Sequence, residues 1–190
     1  MRTTIHELIA GMGLLLAVFW GASWAARAYP RSRRGLALFV IDHTWSLPNT
    51  VAGSLYLLLH LAMRHSIDRD STFHSGQIHI VERLNRHYAM TIGPVVAGAT
   101  PALRRHEDVH VFQARVLGPL YLPLVGLNYV LFTIAPVWLL YHDYERWPIK
   151  GPITYFTCGV YPHVWHEAWA FRRDGGRDER HDVERDQKDQ

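Results

Sequence analysis

The sequence predicts a mainly α integral membrane protein, with about three membrane-associated helices, a small β-hairpin and two further helices that carry candidate metal ligands. Three observations predict it. Residues 8–26 and 116–141 contain no charged side chain, and each run is long enough to cross about 30 Å of hydrocarbon at about 1.5 Å per helical residue. Trp24, Trp45, Trp138, Tyr141, Tyr144 and Trp147 lie near the ends of apolar runs, where amphipathic rings favour the headgroup region. His106 and His110 stand four residues apart, the spacing that places two side chains on one helix face.

Composition narrows the function. A chain of 190 residues holds one compact unit plus its termini. Its 48% hydrophobic content suits a soluble domain or a short membrane protein with polar ends, so the distribution along the chain decides. The net charge of +3 does not point to nucleic acid. Arg27, Arg31, Arg33 and Arg34 sit beside apolar segments instead of forming a separate basic face, which is the pattern of positive-inside anchoring to a lipid bilayer. One cysteine, Cys158, excludes an internal disulfide and a thiol cluster, so any metal must use histidine and carboxylate.

Taken in chain order, residues 1–35 form an N-terminal transmembrane helix and a basic juxtamembrane segment. Arg2 and the small residues Ala22, Ala25, Ala26 and Ala28 also fit a cleaved signal peptide. The run is longer than a signal core, however, and more apolar sequence follows at 36–41. Residues 36–173 form the membrane-embedded domain. Trp45-Ser46-Leu47-Pro48-Asn49-Thr50 is a turn with cap-like residues before a helix at 51–63, which is tilted, re-entrant or packed inside the protein with His60 facing inward. Residues 64–75 are polar and loop-like. Alternating β-branched residues at 77–82 and 88–97 predict two strands joined through 83–87 as a hairpin. Pro101 opens a helix containing the histidine pair, and Gly118-Pro119 breaks or kinks it before the apolar run at 120–141. A last helix covers 162–173, and 174–190 is a charged, disordered tail.

The chemistry centres on His106-Glu107-Asp108-Val109-His110. Two histidines at this spacing suit one Zn²⁺ ion, and the glutamate beside the first suits a general base that deprotonates a metal-activated water. A third protein ligand should come from a second element, leaving the fourth position for water. Glu167 in Trp165-His166-Glu167-Ala168-Trp169-Ala170 fits, with small Ala170 on the same helix face to allow close approach. Gln113, one turn beyond His110, is a candidate to orient a ligand or to bond the neighbouring strand. His163 is a candidate transition-state donor or an interfacial residue. His6, His74, His79 and His181 read as ordinary isolated histidines, and Asp42 and His43 as intramembrane or interfacial polar residues.

Glutamate followed three residues later by alanine resembles the third-ligand helix of the gluzincins, and the likeness extends to a group of bacterial membrane proteins with the same patterns in the same order. These are Trp45-Ser46-Leu47-Pro48 with Gly53, Thr91-Ile92-Gly93-Pro94, the histidine pair with Val111-Phe112-Gln113, Leu117-Gly118-Pro119-Leu120-Tyr121-Leu122-Pro123, and Glu167 with Ala170. The resemblance implies zincin-like active-site helices, a bacterial inner (cytoplasmic) membrane location and a zinc metallopeptidase acting on a peptide or membrane-protein substrate. Zincins commonly present an edge strand to extended peptides, and Thr91, Ile92 and Gly93 are the candidates for it. Three positions depart from the pattern: Asp108 and Val109 inside the motif, and Phe171 where the class commonly has aspartate. A degenerate, non-catalytic scaffold is therefore one alternative. Another is a membrane di-iron oxygenase acting on lipid, because His60 and His65, His106 and His110, and His163 and His166 form three pairs like histidine boxes.

Overall fold

A computed structural model describes residues 2–85 and 88–174. The tail expected at 174–190 therefore lies, beyond Asp174, outside the described residues. The molecule is mostly helical, with one small three-stranded sheet.

Helix α1 (Arg2–Ala25) is apolar nearly all round. It leaves Leu8, Leu14 and Trp24 exposed while Phe19 enters a core with Tyr56, Leu57, Ile78, Ile80 and Val95. Helix α2 (Arg33–His43) starts where the Ser32 hydroxyl accepts the Gly35 N–H at 3.2 Å, satisfying one of the free donors of a first turn. Helix α3 (Leu47–Ala62) begins four residues earlier than position 51, because Pro48 in its first turn has a backbone already set for helix. Its Asn49, Thr50, Ser54 and His60 are all fully buried. One face of the helix turns inward with His60, while Leu55 and Leu59 on the other face are exposed.

After a single turn, α4 (Arg69–Thr72), come β1 (Ile78–Ile80), β2 (Met90–Ile92) and β3 (Val95–Ala97). Their order is β1-β3-β2, with β1 parallel to β3 and β2 antiparallel to it. This corrects the expected hairpin between 77–82 and 88–97. The second of those segments folds back on itself at Gly93-Pro94, pairing Ile92 with Val95, and β1 joins the other side of β3. Gly93 has φ +54° and Pro94 lacks a donor, a pair that makes a tight turn and cannot continue a strand.

Helix α5 (Arg104–Leu117) carries the histidine pair. It ends at Gly118, where φ is +54° and the Trp45 indole lies where a Cβ would stand. A 3₁₀ turn (Gly118–Leu120) leads into α6 (Tyr121–Ile134). The expected apolar helix through 141 stops at Ile134, because Pro136 has no N–H and forces Ala135 out of helical geometry. A 3₁₀ turn (Val137–Leu140) follows, with Trp138 fully buried against Val160 and Val164. Trp138 is thus a core aromatic, not an interfacial one. The helix expected at 162–173 is broken as well. An extended Val164 divides it into the end of α8 (Tyr161–His163) and α9 (Trp165–Asp174), and α7 (Pro152–Thr154) and a π-helical stretch (Tyr155–Val160) come before it.

Among the described residues, two helical stretches, Thr4–Ala25 and Arg104–Ile134, are long and apolar enough to cross a membrane.

Candidate metal centre

Helices α5 and α9 pack face to face, and small buried residues on each side, Ala114 and Ala170, permit close approach. On this contact His106, His110 and Glu167 bring one ligand atom apiece to within 4.8 Å of one another, and all three residues are buried. Glu167 Oε2 lies 3.1 Å from His106 Nε2 and 3.5 Å from His110 Nε2. Tetrahedral coordination with bonds of about 2.0–2.1 Å sets ligand atoms about 3.3 Å apart, so these separations fit one small divalent cation. Two imidazoles and one carboxylate suit zinc and other first-row metals alike.

The surroundings fix the state of each group. Gln113, wholly buried, donates from Nε2 to the His166 carbonyl at 2.9 Å. A carbonyl only accepts, so the amide oxygen faces His110 Nδ1, 3.1 Å away. His110 therefore holds a proton on Nδ1, and Nε2, which faces Glu167, is its atom for a metal. Gln113 thus bonds the His110 ring and also a neighbouring backbone, that of helix α9 and not of a strand. Tyr121 adds a longer bond to the same amide oxygen at 3.4 Å.

Glu167 is placed by its helix start. Val164 is extended, and the Trp165 N–H is taken by Asn128 Oδ1 of α6 at 2.9 Å, so α9 is capped from another helix and its first turn presents Glu167 to α5. Burial disfavours the charged form of this carboxyl, yet the His110 and His106 imidazoles facing it prevail and hold it well below the usual carboxylate range. His166, one residue earlier, is a participant that sequence reasoning passed over. It is buried, lines the same cavity, and its Nε2 lies 3.5 Å from Glu167 Oε1. Burial pushes its imidazole down to about 4, so it is neutral at ordinary pH. The sequence signal for it is its adjacency to Glu167.

Glu107 is buried next to the ligands, and the Thr91 hydroxyl of β2 donates to its Oε2 at 2.5 Å. Strand β2 is an edge strand in the sheet order. Thr91 and Ile92 line a cavity of about 580 Å³ together with Glu107, His110, His166 and Glu167. Gly93 is not on that wall. It lies under α3, where a Cβ would fall 2.2 Å from the Asn49 carbonyl oxygen.

The three departures from the family pattern have definite places. Asp108 points away from the ligands and accepts a hydrogen bond from Gln77 Nε2. Val109 is buried. Phe171 packs its ring against His106, centroids 4.8 Å apart, so an aromatic wall restrains the imidazole where an aspartate would hydrogen-bond it.

Of the other residues in the histidine-box pattern, His166 joins this group and His60, His65 and His163 do not. His60 and His65 bond to each other through Nδ1 atoms 2.7 Å apart. His163 bonds to the Gly159 carbonyl, stacks on Trp138 and is not on the wall of the cavity. Among the described residues, His106, His110 and Glu167 form the one group of three or more such side chains poised for a metal.

No known family, curated protein or solved structure matches this chain.

Proposed function

We propose that the protein is an integral membrane zinc metallopeptidase, anchored through α1 and α6, that hydrolyses a peptide bond at the α5–α9 contact. The observation that carries the reading is the convergence of His106, His110 and Glu167, with His110, Glu167 and Glu107 on the wall of one cavity bordered by an edge strand. Anchoring is supported by apolar side chains that face outward along both candidate spans, such as Leu8, Leu14, Leu127 and Ile134. The family resemblance adds a bacterial inner membrane as the site of action.

Zn²⁺ held by His106, His110 and Glu167 would polarise the scissile carbonyl and lower the pKa of the attacking water. Glu107 then accepts that water's proton on its carboxylate and returns it to the leaving nitrogen. The Thr91 hydroxyl fixes the Glu107 carboxylate through Oε2. Strand β2 presents its free edge to an extended peptide, which adds as a further strand by backbone hydrogen bonds. Leu122, Val125 and Phe156 supply the apolar walls of the cavity.

The test is the metal content of detergent-purified protein by elemental mass spectrometry, with peptide cleavage measured on the same samples. The parent should hold near one zinc per chain, and His110→Ala and Glu167→Ala should lose it. Glu107→Gln should keep zinc and lose cleavage. A Glu107→Gln protein that cleaves like the parent would overturn the mechanism, and two irons per chain would favour the oxygenase reading instead.

A further inference from the structure

A second cavity, of about 440 Å³, lies between the C-terminal end of α1 and helix α2, away from the metal centre. Its volume falls within the range of about 300–1,000 Å³ that small-molecule sites occupy. Arg27, Arg31 and His74 line it, together with Trp20, Trp24 and Ser23. No carboxylate is on its wall. Asp42, below Tyr29, is taken by Arg115 through both oxygens and by the Tyr29 hydroxyl, and it is almost wholly buried. The cavity is therefore a basic one with aromatic sides.

Two further observations point to a ligand. Three non-glycine residues among the described ones have positive φ, and two of them, Arg27 at +51° and His74 at +58°, line this cavity. They are joined directly, the His74 N–H donating to the Arg27 carbonyl at 3.0 Å. Arg27 closes α1, its N–H and that of Ala28 donating to the Trp24 and Ser23 carbonyls at 3.0 and 2.8 Å, a left-handed cap position at which a side chain larger than glycine carries a steric penalty. Nothing about the turn itself calls for arginine, since glycine would satisfy the backbone at lower cost. Moreover, the Ser23 hydroxyl on the cavity wall is buried and lacks a hydrogen-bond partner. Buried hydroxyls are ordinarily paired.

Position selects the ligand class. The cavity sits at the end of the apolar stretch Thr4–Ala25, with Trp20 half exposed and Trp24 largely so. If α1 crosses a membrane, this is headgroup level, where exposed tryptophans belong and where arginine clusters mark the leaflet rich in anionic lipid. We infer that this cavity binds the phosphate of an anionic phospholipid headgroup, gripped by Arg27 and Arg31 with Ser23 donating to it and the tryptophans flanking the glycerol and acyl ends. The site is independent of the metal centre.

The experiment uses the full chain purified in a non-ionic detergent and titrated with short-chain dihexanoyl phosphatidylglycerol, dihexanoyl phosphatidylcholine or inorganic phosphate, following the thermal transition and tryptophan fluorescence. Phosphatidylglycerol should raise the transition saturably and phosphatidylcholine should not. The informative variant is Arg27→Gly with Arg31→Gln. Glycine relieves the positive φ, so the lipid-free transition should stay level or rise. Apparent affinity for phosphatidylglycerol should nevertheless fall about tenfold or more, as the loss of two charges near a headgroup implies. Ser23→Ala should weaken binding by a smaller factor. Equal affinity of parent and double variant, or no preference for phosphatidylglycerol over phosphatidylcholine, would overturn the assignment. Inorganic phosphate matching phosphatidylglycerol in affinity would reassign the cavity to a soluble phosphate and so overturn the lipid source.

Discussion

Gln113 ties three groups together with one side chain: it sets the proton of His110, accepts from Tyr121 and bonds the backbone of α9 beside Glu167. Replacing it by leucine keeps the volume but strands the His110 N–H and the His166 carbonyl in a buried place. Gln113→Leu should therefore lower stability by about 1–3 kcal/mol in chemical denaturation. Its zinc affinity, read by competition with a chromogenic chelator, should fall about 10- to 100-fold. Thr91 acts on the other functional group. Thr91→Val is nearly isosteric and removes only the hydroxyl held by Glu107. It should leave zinc content unchanged and reduce the rate of peptide cleavage about tenfold or more, as the loss of a positioned acid–base contact does. A drop in zinc content instead would show that Thr91 supports the ligands and not the base.

Elements are positioned by contacts that lie far apart in the chain. The C-terminal carbonyls of α5 are met by the segment that opens α3: Ser46 bonds the Ala114 carbonyl, Trp45 that of Val116, and Asn49 those of Ala114 and Gly118. The Trp45-Ser46-Leu47-Pro48 and Gly118-Pro119 patterns are thus two halves of one helix cap. The Thr91-Ile92-Gly93-Pro94 turn meets the same helix, since a Cβ at Gly53 would stand 2.5 Å from the Ile92 carbonyl oxygen and one at Gly93 would press on Asn49. Helix α9 depends on α6 in turn. Asn128→Ala removes the acceptor of the Trp165 N–H and should cost about 1 kcal/mol of stability. Because α9 carries Glu167, that variant should also bind zinc more weakly, whereas Asn128→Asp, which keeps the acceptor, should bind it as the parent does.

At the scale of the whole molecule, an ion pair is buried while apolar side chains of α6 are exposed. Arg115 and Asp42 form a buried bidentate pair that joins α5 to α2, while Leu127, Val130 and Ile134 of α6 lie half exposed or more. A charge inside a transmembrane helix costs about 2.5–3.5 kcal/mol in insertion. Val130→Arg should consequently shift the protein out of the fraction that stays with membranes after an alkaline wash. Recovery equal to the parent's would show that α6 is covered by protein and not by lipid. Charge placed instead at Arg105→Glu, on the exposed side of α5, should leave that fraction unchanged.

How much of this was legible in one dimension follows from which forces are local. Charge-free runs, the i, i+4 spacing of His106 and His110, and a glutamate beside a small residue on a second helix are short-range facts, and each survives folding because helix geometry alone turns it into a face. The strand pairing was not legible: β1 beside β3 rather than β2 depends on the tight turn at Gly93 outcompeting a longer hairpin. Nor were the helix breaks at Ala135 and Val164, where proline and a cap from Asn128 override apolar continuity. The sequence by itself determined which residues have the chemistry to hold a metal and which stretches shun water. Only the tertiary structure decided that His166 belongs beside the ligands and His163 does not, that Asp108 turns away, and that Phe171 restrains His106. Those outcomes rest on how two helices rotate and approach, and that is set by long-range contacts that no window of sequence contains.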